Sequence, residues 1–283
     1  RGLLLRQQQK PLFSSWTFAS QNAQIGGAIT SFCRDNNGIT WCAVQNNGIF
    51  GFDSQGHMSH HPASPPDTYS IFKDKKGNFW VGGSKGLYSY NPNTGTYVLR
   101  VPFESNYINA FADDGKGHYY FSVFSKGLCV WDENTGQVQN FNMHQTDRKN
   151  GYLRNDWIYS LLLENDNTLW IGTSYGLCRL KTSDLSFYIN TKAGQKTDVL
   201  FEGKQVNCII PDRKKASGLI LGTGTGIVLF DTHTGKDEKI KGDLLSSLAV
   251  SNIIFDDDGN LWCSTTMGIW QIADGLGISE PSL

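Results

Sequence analysis

One segment of the chain recurs along its length, and this internal repeat limits the fold more than any single residue does. The segment Asn167 to Leu177, which reads Asn-Thr-Leu-Trp-Ile-Gly-Thr-Ser-Tyr-Gly-Leu, returns with drift five more times. Its large central residue lies at positions 41, 80, 120, 170, 220 and 262, so the steps are 39, 40, 50, 50 and 42 residues. A period of about 40 residues is typical of β-propeller blades.

Each repeat predicts four antiparallel strands. Short runs of β-branched and aromatic residues alternate with Asp, Asn and Gly clusters such as Asp74 to Asn78, which are typical of tight turns. The glycine before each third strand, for example Gly86, supplies a positive φ without a Cβ clash. The tryptophans of the repeat are expected to fill the space between neighbouring blades. We therefore predict an all-β fold, a β-propeller of four-stranded antiparallel blades.

The repeat covers the chain uniformly, which predicts a single β-propeller domain over residues 1–283. Six whole repeats are expected at residues 28–66, 67–105, 106–154, 155–203, 204–247 and 248–283. Residues 1–27 predict a partial blade, with a third strand at Gly2 to Arg6 and a fourth at Leu12 to Phe18. This favours seven blades, with six as the alternative, and we expect residues 1–20 to supply outer strands that close the ring.

Charge and cysteine usage argue against nucleic-acid binding, a disulfide framework and a zinc site. The 25 basic and 26 acidic residues give a net charge of −1 without a basic cluster, so nucleic acid is not an expected partner. Cys42 and Cys263 occupy matching repeat positions, as do Cys129 and Cys178, so free buried thiols are favoured over disulfides. No cysteine spacing resembles a zinc site, and we expect neither a metal nor a cofactor.

Two glycine-rich segments match the nucleophile pattern of hydrolases without its structural setting. Gly82 to Gly86 and Gly172 to Gly176 both read G-x-S-x-G. Each is predicted to be a turn between two strands, whereas the nucleophile elbow needs a strand followed by a helix. No catalytic residue is therefore predicted.

The full pattern resembles a known family of repeats. Three segments carry it best, with a turn of the Asp-x-x-Gly-Asn type, then hydrophobic-Trp-hydrophobic, a turn and Gly-Leu: Asp74 to Tyr90, Glu164 to Leu180 and Asp256 to Ile272. They resemble the two-component regulator propeller repeat, and the resemblance runs from residue 28 onward. Two copies depart from it, since Tyr120 and Ile220 stand at the tryptophan position.

This resemblance implies a location and partners. Repeats of this family form the periplasmic sensor region of hybrid two-component histidine kinases of Bacteroidetes, which are inner-membrane proteins. Their sensors typically detect carbohydrate fragments. The implied partners are an oligosaccharide, adjacent propeller or sensor domains of the same protein, and a second copy in a homodimer of the parent receptor.

Propeller geometry indicates where a ligand would bind. The connections from fourth strands to the next first strands share a face with the turns between second and third strands, and this is the usual ligand face. The two 50-residue steps place extra residues at 141–156 and 189–204. Aromatic rings can stack on sugars there, and Arg and Asn can bind hydroxyl or sulfate groups. The candidate ligand-binding residues are Arg148, Tyr152, Arg154, Asn155, Trp157 and Tyr175.

These observations predict a non-catalytic sensor domain that binds an oligosaccharide and signals to a kinase outside this segment. One alternative is a carbohydrate-active enzyme of the propeller type, a lyase or a glycosidase. A second alternative is a pure scaffold. For each candidate residue, an ordinary solvated loop is the competing interpretation.

Overall fold

A computed structural model describes residues 27–61, 65, 67–103, 107–144, 152–165, 167–188, 190–192, 195–197, 199–240 and 248–272. In this part of the chain the strands form six antiparallel sheets that follow one another in sequence, and one separate hairpin. Five of these sheets join only strands that are consecutive along the chain, as the repeat predicts, and the fourth sheet takes up one later strand as well. The prediction of an all-β propeller with four-stranded antiparallel blades is confirmed. No helix among the described residues is long and apolar enough to cross a membrane.

The first three blades each contain four strands. Blade 1 consists of β1 (Ile29–Arg34), β2 (Thr40–Val44), β3 (Gly48–Phe52) and β4 (Met58–His61). Blade 2 consists of β5 (Ser70–Lys73), β6 (Phe79–Gly83), β7 (Gly86–Asn91) and β8 (Thr96–Pro102). Blade 3 consists of β9 (Phe111–Asp113), β10 (His118–Val123), β11 (Gly127–Asp132) and β12 (Val138–Phe141).

The next three blades show more variation in their outer strands. Blade 4 consists of β13 (Ile158–Glu164), β14 (Thr168–Thr173), β15 (Gly176–Lys181) and β16 (Ser186–Phe187), and its chain continues through β17 (Asn190–Lys192), β18 (Gln195–Thr197) and β19 (Val199–Leu200). Blade 5 consists of β20 (Val206–Pro211), β21 (Gly218–Thr223), β22 (Gly226–Asp231) and β23 (Asp237–Lys239). Blade 6 has three strands among the described residues, β24 (Val250–Phe255), β25 (Leu261–Thr265) and β26 (Gly268–Ile272).

A central cavity is lined by the first strands of blades 1, 2 and 6 and by the residues directly before the first strand of blade 3. The cavity measures about 1080 Å³ and is lined from blades 1, 2, 3 and 6, among others by Thr30, Tyr69, Asn109 and Asn252. We call the face that carries the turns between second and third strands the upper face, and the opposite one the lower face. Neighbouring blades pack through apolar clusters, such as the one that joins Trp41 and Ile49 of blade 1 to Ile71 and Tyr88 of blade 2.

The glycine before the third strand has a positive φ in all six blades, as predicted. The angles are 94° at Gly48, 144° at Gly86, 88° at Gly127, 142° at Gly176, 113° at Gly226 and 116° at Gly268. Two of these glycines also lie against the fourth strand. A Cβ on Gly86 would overlap the carbonyl oxygen of Val101, and one on Gly127 would overlap that of Phe141.

Each tryptophan of the repeat donates a hydrogen bond to a carboxylate six residues earlier. The Nε1–Oδ2 distances are 3.0 Å for Trp41 and Asp35, 2.9 Å for Trp80 and Asp74, and 2.8 Å for Trp262 and Asp256. Trp170 donates in the same way to Glu164 Oε2 at 2.7 Å. These carboxylates lie in the turns between first and second strands or, for Glu164, at the last residue of the first strand, on the lower face. Trp41, Trp80 and Trp170 are buried, as predicted, and Trp262 is half-buried.

The expected position of residues 189–204 is wrong in part. These residues were predicted to extend the connection from blade 4 to blade 5 on the upper face. Instead β16 pairs with Leu180 and Lys181, and β19 pairs further along the same strand with Leu177 and Cys178. The hairpin β17–β18 therefore interrupts the fourth strand of blade 4, because the chain leaves this edge and then returns to it.

All six cysteines are free, and five of them are buried, as predicted. Six blades lie in the described part of the chain, in agreement with the six-bladed alternative. Residues 1–26, which would contribute to a seventh blade and close the ring, lie outside the described residues. The assignment of the whole chain to one domain stays a prediction.

Candidate functional site

Trp157 is the most exposed aromatic residue at the predicted ligand site. It lies at the upper face, directly before β13, and 48% of its surface is exposed. Its backbone is fixed at both polar groups, since its N–H donates to Asn155 Oδ1 at 2.8 Å and its carbonyl accepts from Ser174 N at 3.0 Å. An exposed indole on a fixed backbone can act as a binding anchor with little loss of conformational entropy.

Trp157 is the outermost ring of a stack of aromatic side chains. It stacks on Phe124, with ring centroids 5.9 Å apart and planes 19° apart. Phe124 stacks in turn on Tyr107 at 4.5 Å and 16°, and Tyr107 contacts Tyr69 at 5.0 Å. The stack thus crosses blades 4, 3 and 2 at the mouth of the central cavity, and it holds the indole in one orientation.

Phe124, Tyr107 and Tyr69 were not predicted as site residues. Tyr107 could have been found by aligning the repeats, because it matches Trp157: the carbonyl of Tyr107 accepts from Phe124 N at 3.0 Å, as that of Trp157 accepts from Ser174 N. Phe124 carries no such signal, since the corresponding turn residues in blades 2 and 4 are Ser84 and Ser174.

Arg154 and Tyr152 form a second group close to Trp157 in the sequence. The guanidinium carbon of Arg154 lies 4.7 Å from the centre of the Tyr152 ring, a cation–π contact that orients both half-buried side chains. Leu153 between them is fully buried and packs in the core between blades 3 and 4. This buried leucine anchors the end of the connection from β12 to β13.

Tyr175 lies on the neighbouring turn between β14 and β15. It is 43% exposed, and its hydroxyl lies 3.5 Å from Glu202 Oε1. Its carbonyl accepts from Gly203 N at 3.0 Å, which joins this turn to the connection before β20. Tyr175 therefore presents an aromatic ring on the same face as Trp157.

Asn155 has a structural role that explains its position. Its Oδ1 accepts hydrogen bonds from Trp157 N and from Ser174 Oγ, the latter at 2.8 Å. Oδ1 is thus used within the turn, and the group of this side chain that can donate to a ligand is the amide NH₂. Arg148 lies outside the described residues.

The serines of the two G-x-S-x-G segments lie in turns between strands, as predicted. Ser84 Oγ donates to Asp67 Oδ2 at 3.0 Å, and Ser174 Oγ donates to Asn155. Neither contact provides the histidine base that a serine nucleophile needs. Among the described residues, no group of three or more His, Cys, Asp and Glu side chains is arranged to hold a metal ion.

Known structures support the fold. The chain is similar to the extracellular domains of two putative hybrid two component systems of B. thetaiotaomicron. With BT4673 it shares 20% identity at a TM-score of 0.68, covering 87% of this chain and 31% of that one. With BT3049 it shares 20% identity at a TM-score of 0.67, covering 89% and 34%. This chain thus spans about a third of the length of either domain.

An enzyme shares the same fold. Virginiamycin B lyase from Staphylococcus aureus is 13% identical at a TM-score of 0.64, and the match covers 87% of this chain and 80% of the lyase. No curated protein sequence matches the chain.

The sequence also matches a family model directly. The match covers residues 152–175, which include Tyr152, Arg154, Asn155, Trp157 and Tyr175, and the model is that of the two component regulator propeller. The resemblance found in the repeats is therefore confirmed. Residues 152–175 of this chain form a two component regulator propeller repeat.

Proposed function

We propose that this chain is a non-catalytic, extracytoplasmic sensor domain of a hybrid two-component system and that it binds an oligosaccharide on its upper face. The observation that carries the proposal is the exposed Trp157, whose ring stacks on Phe124. Trp157 lies in the segment that matches the regulator propeller family. The two similar extracellular domains of hybrid two component systems support the same class of protein. A periplasmic location and a signal to a kinase outside this segment go with that class.

The chemistry of the upper face suits a sugar. The C–H faces of a pyranose ring pack on the exposed indole, while its hydroxyl groups bind nearby polar side chains. Arg154 and the amide of Asn155 supply donors, and Tyr175 supplies a second ring. None of these four side chains is a carboxylate or a histidine, the commonest acids and bases of glycosidases and lyases, which favours a sensor.

We predict that Trp157→Ala weakens oligosaccharide binding by about 1–3 kcal/mol, as expected when an exposed anchor is truncated. Arg154→Ala should weaken it similarly, and Trp157→Phe should retain most of the affinity because it keeps an aromatic face. A thermal-shift screen of glycan fragments would supply the ligand, and calorimetry would measure the affinities. Tyr97→Ala, which removes an exposed ring on the outer strand of blade 2, is the matched control.

An enzyme is the alternative function, because virginiamycin B lyase has the same fold. Long incubation of the protein with each ligand, followed by mass spectrometry of the sugar, separates the two functions. Unchanged ligand supports the sensor. Cleaved or eliminated product would replace it with a propeller-type lyase or glycosidase. Unaltered affinity in both Ala variants would contradict the proposed site.

A further inference from the structure

A second cavity opens close to the aromatic stack, between blades 2 and 3. Its volume is about 330 Å³. It is joined to the stack through the chain, because Ser125 and Lys126 of its lining follow Phe124, and Asp156 precedes Trp157. Ligand pockets range over about 300–1,000 Å³, so this cavity suits one small unit of a ligand.

The lining separates apolar and polar groups. Buried apolar side chains come from both blades and include Val101, Val123 and Cys129. Burial raises the pKa of the Cys129 thiol to about 12, so this sulfur is a neutral, inert part of the wall. Exposed polar side chains, such as Lys126 and Asn140, lie at the cavity as well. An apolar interior with a few polar groups is the usual composition of a small-molecule site.

Asp156 is the one buried carboxylate in this lining. It is 7% exposed, and its Oδ1 accepts a hydrogen bond from Met143 N at 2.7 Å. In the described part of the chain, no hydrogen-bond donor to its Oδ2 is found. Burial raises the pKa of Asp156, against the opposing effects of the Met143 N–H and of His144. Oδ2 is not a fully enclosed atom without a partner, so it has access to the cavity and can accept a hydrogen bond from a molecule bound there.

The charges of the lining favour a neutral partner. Lys126 and Asp156 at this cavity carry opposite charges. The other titratable side chains of the lining are those of His144 and Cys129. An anionic sugar would place its charge against a buried carboxylate, which is unfavourable in a poorly solvated site. The hydroxyl groups of a neutral sugar can donate to Asp156, and its C–H groups can pack on the apolar wall.

We infer that this cavity is a subsite for one neutral monosaccharide unit, bound through hydroxyl groups that donate to Asp156. The inference rests on the proposed oligosaccharide binding and adds the unit that enters the cavity. Trp157 then stacks on a following unit of the same chain. Asp156 would thus have two roles, since one oxygen holds Met143 and the other binds the ligand.

The test uses single sugars, because the cavity holds one unit. Binding of D-glucose, D-galactose, D-mannose, D-xylose and L-arabinose, each alone, would be measured by saturation-transfer NMR titration of the whole chain. We expect at least one of them to bind. Asp156→Asn, which keeps an Oδ1 acceptor for Met143 N, should weaken that sugar about ten- to a hundredfold, as expected for a lost hydrogen bond to a charged group.

A second variant guards against loss of folding. Val138 lines the cavity from the outer strand of blade 3 and is 45% exposed, so Val138→Trp fills the cavity without entering the core. It should abolish monosaccharide binding. Asp258→Asn makes the same chemical change in an exposed turn of the lower face and should leave binding unaltered. Circular dichroism and thermal midpoints would show that the variants are folded.

The outcomes separate the subsite from the proposed function. If Asp156→Asn and Val138→Trp leave sugar binding unchanged while Trp157→Ala weakens an oligosaccharide, the subsite is wrong and the sensor proposal stands. Equal or tighter binding of D-glucuronate or D-glucosamine overturns the neutral class. If no monosaccharide and no oligosaccharide binds, both proposals fail. Trp157→Ala should change monosaccharide affinity less than twofold, because Trp157 does not line the cavity.

Discussion

At the scale of single residues, the tryptophan and the acidic residue of each repeat act as a pair. The carboxylate accepts from the indole through one oxygen and closes the turn through the other: Asp74 Oδ1 accepts from Lys76 N at 3.0 Å and from Asn78 N at 2.8 Å. Asp74 is also reached from the next blade, by the Tyr119 hydroxyl at 3.2 Å. The pair therefore ties the lower-face turn to the packing between blades, and this explains why an acidic residue recurs at this position of the turn.

The exceptions to the pair follow the same chemistry. Tyr120 replaces the tryptophan in blade 3, and there Asp114 Oδ2 lies 2.6 Å from His118 Nδ1 instead. In blade 5 the residue is Ile220, whose side chain has no donor, and Asp212 Oδ1 accepts a turn contact from Lys214 N at 2.8 Å. The sequence shows the tryptophans as core residues, but their polar edge was not predicted, because the acidic residue six positions earlier was interpreted as a turn former alone.

We predict that Trp262→Phe raises the pKa of Asp256 toward the ordinary value of about 4 for an aspartate. The hydrogen bond from Trp262 is the largest cause that lowers this pKa, followed by that from the Asn260 side chain. A lowered folded-state pKa stabilises the fold above the unfolded pKa, and this contribution is lost as the pH falls through the folded value. The variant should therefore lose this pH-dependent stabilisation above about pH 4, and in stronger acid only the pH-independent loss from the smaller ring should remain.

Carbonyl-detected NMR titration of Asp256 would measure this shift. Trp157→Phe is the control, because it makes the same change at the upper face, where no contact with Asp256 exists. An Asp256 pKa that does not move in Trp262→Phe would show that the indole hydrogen bond does not set it.

At the scale of strands and turns, much of the structure could be predicted because every repeat forms the same sequence of antiparallel strands and turns. Turn glycines, alternating apolar residues and the tryptophan position recur in register, so each copy supports the others. The fourth strands could not be predicted equally well. β16 has two residues and β23 has three, which is too short for a clear alternation of apolar and polar residues. In blade 4, the inserted hairpin β17–β18 gives the sequence of a split strand the same appearance as that of a long loop. Their pairing depends on the neighbouring third strand.

The positions of the candidate residues were predictable to a similar degree, while their role in ligand binding stays a prediction. Trp157, Tyr152, Arg154 and Tyr175 were chosen because they lie in connections that open on one face, and the structure places them there. The stack that orients Trp157 depends on Phe124 and Tyr107, which come from another blade. Contacts across blades are tertiary, so no local spacing encodes them.

We predict that Gly127→Ala destabilises the protein by about 2–4 kcal/mol, because a positive φ and an overlap with backbone are combined at one position. A Cβ there would overlap the Phe141 carbonyl oxygen and approach Leu153 Cδ2 at 3.0 Å. Gly224→Ala is the matched control in the corresponding turn of blade 5, where φ is not positive and the nearest atom, Gln205 Cβ, is 3.6 Å away. Chemical denaturation would compare them, and equal midpoints would contradict the role given to Gly127.

At the scale of the whole molecule, blades 1 and 6 expose large apolar side chains on or next to their first and third strands, whereas those of blades 2 and 3 lie on or next to fourth strands. Ile254, Met267 and Ile269 of blade 6 are 55%, 69% and 60% exposed. In blade 1, Phe32 on β1 is 66% exposed, while Phe50 on β3 is 1% exposed. Phe32 and Phe50 both pair with Cys42 and so share one side of the blade, opposite to the side that packs on blade 2. On this side of blade 1, the phenylalanine of the third strand is therefore buried and that of the first strand is exposed.

Because Phe50 is buried while Phe32 is exposed, we predict that residues 1–20 supply the outer strands of a further blade beside blade 1. Outer strands alone would cover Phe50 and Phe52 and leave Phe32 and Ile29 as the surface for the inner strands of that blade. Deleting residues 1–20 should then expose both phenylalanines, at a cost of about 1.5–3 kcal/mol for each ring. Hydrogen exchange should accelerate in β3, whereas β22, the corresponding strand of blade 5, should be unaffected. If the deletion changes neither the free energy of unfolding nor exchange in β3, these residues do not form part of the ring, and the burial of Phe50 must come from elsewhere in the chain.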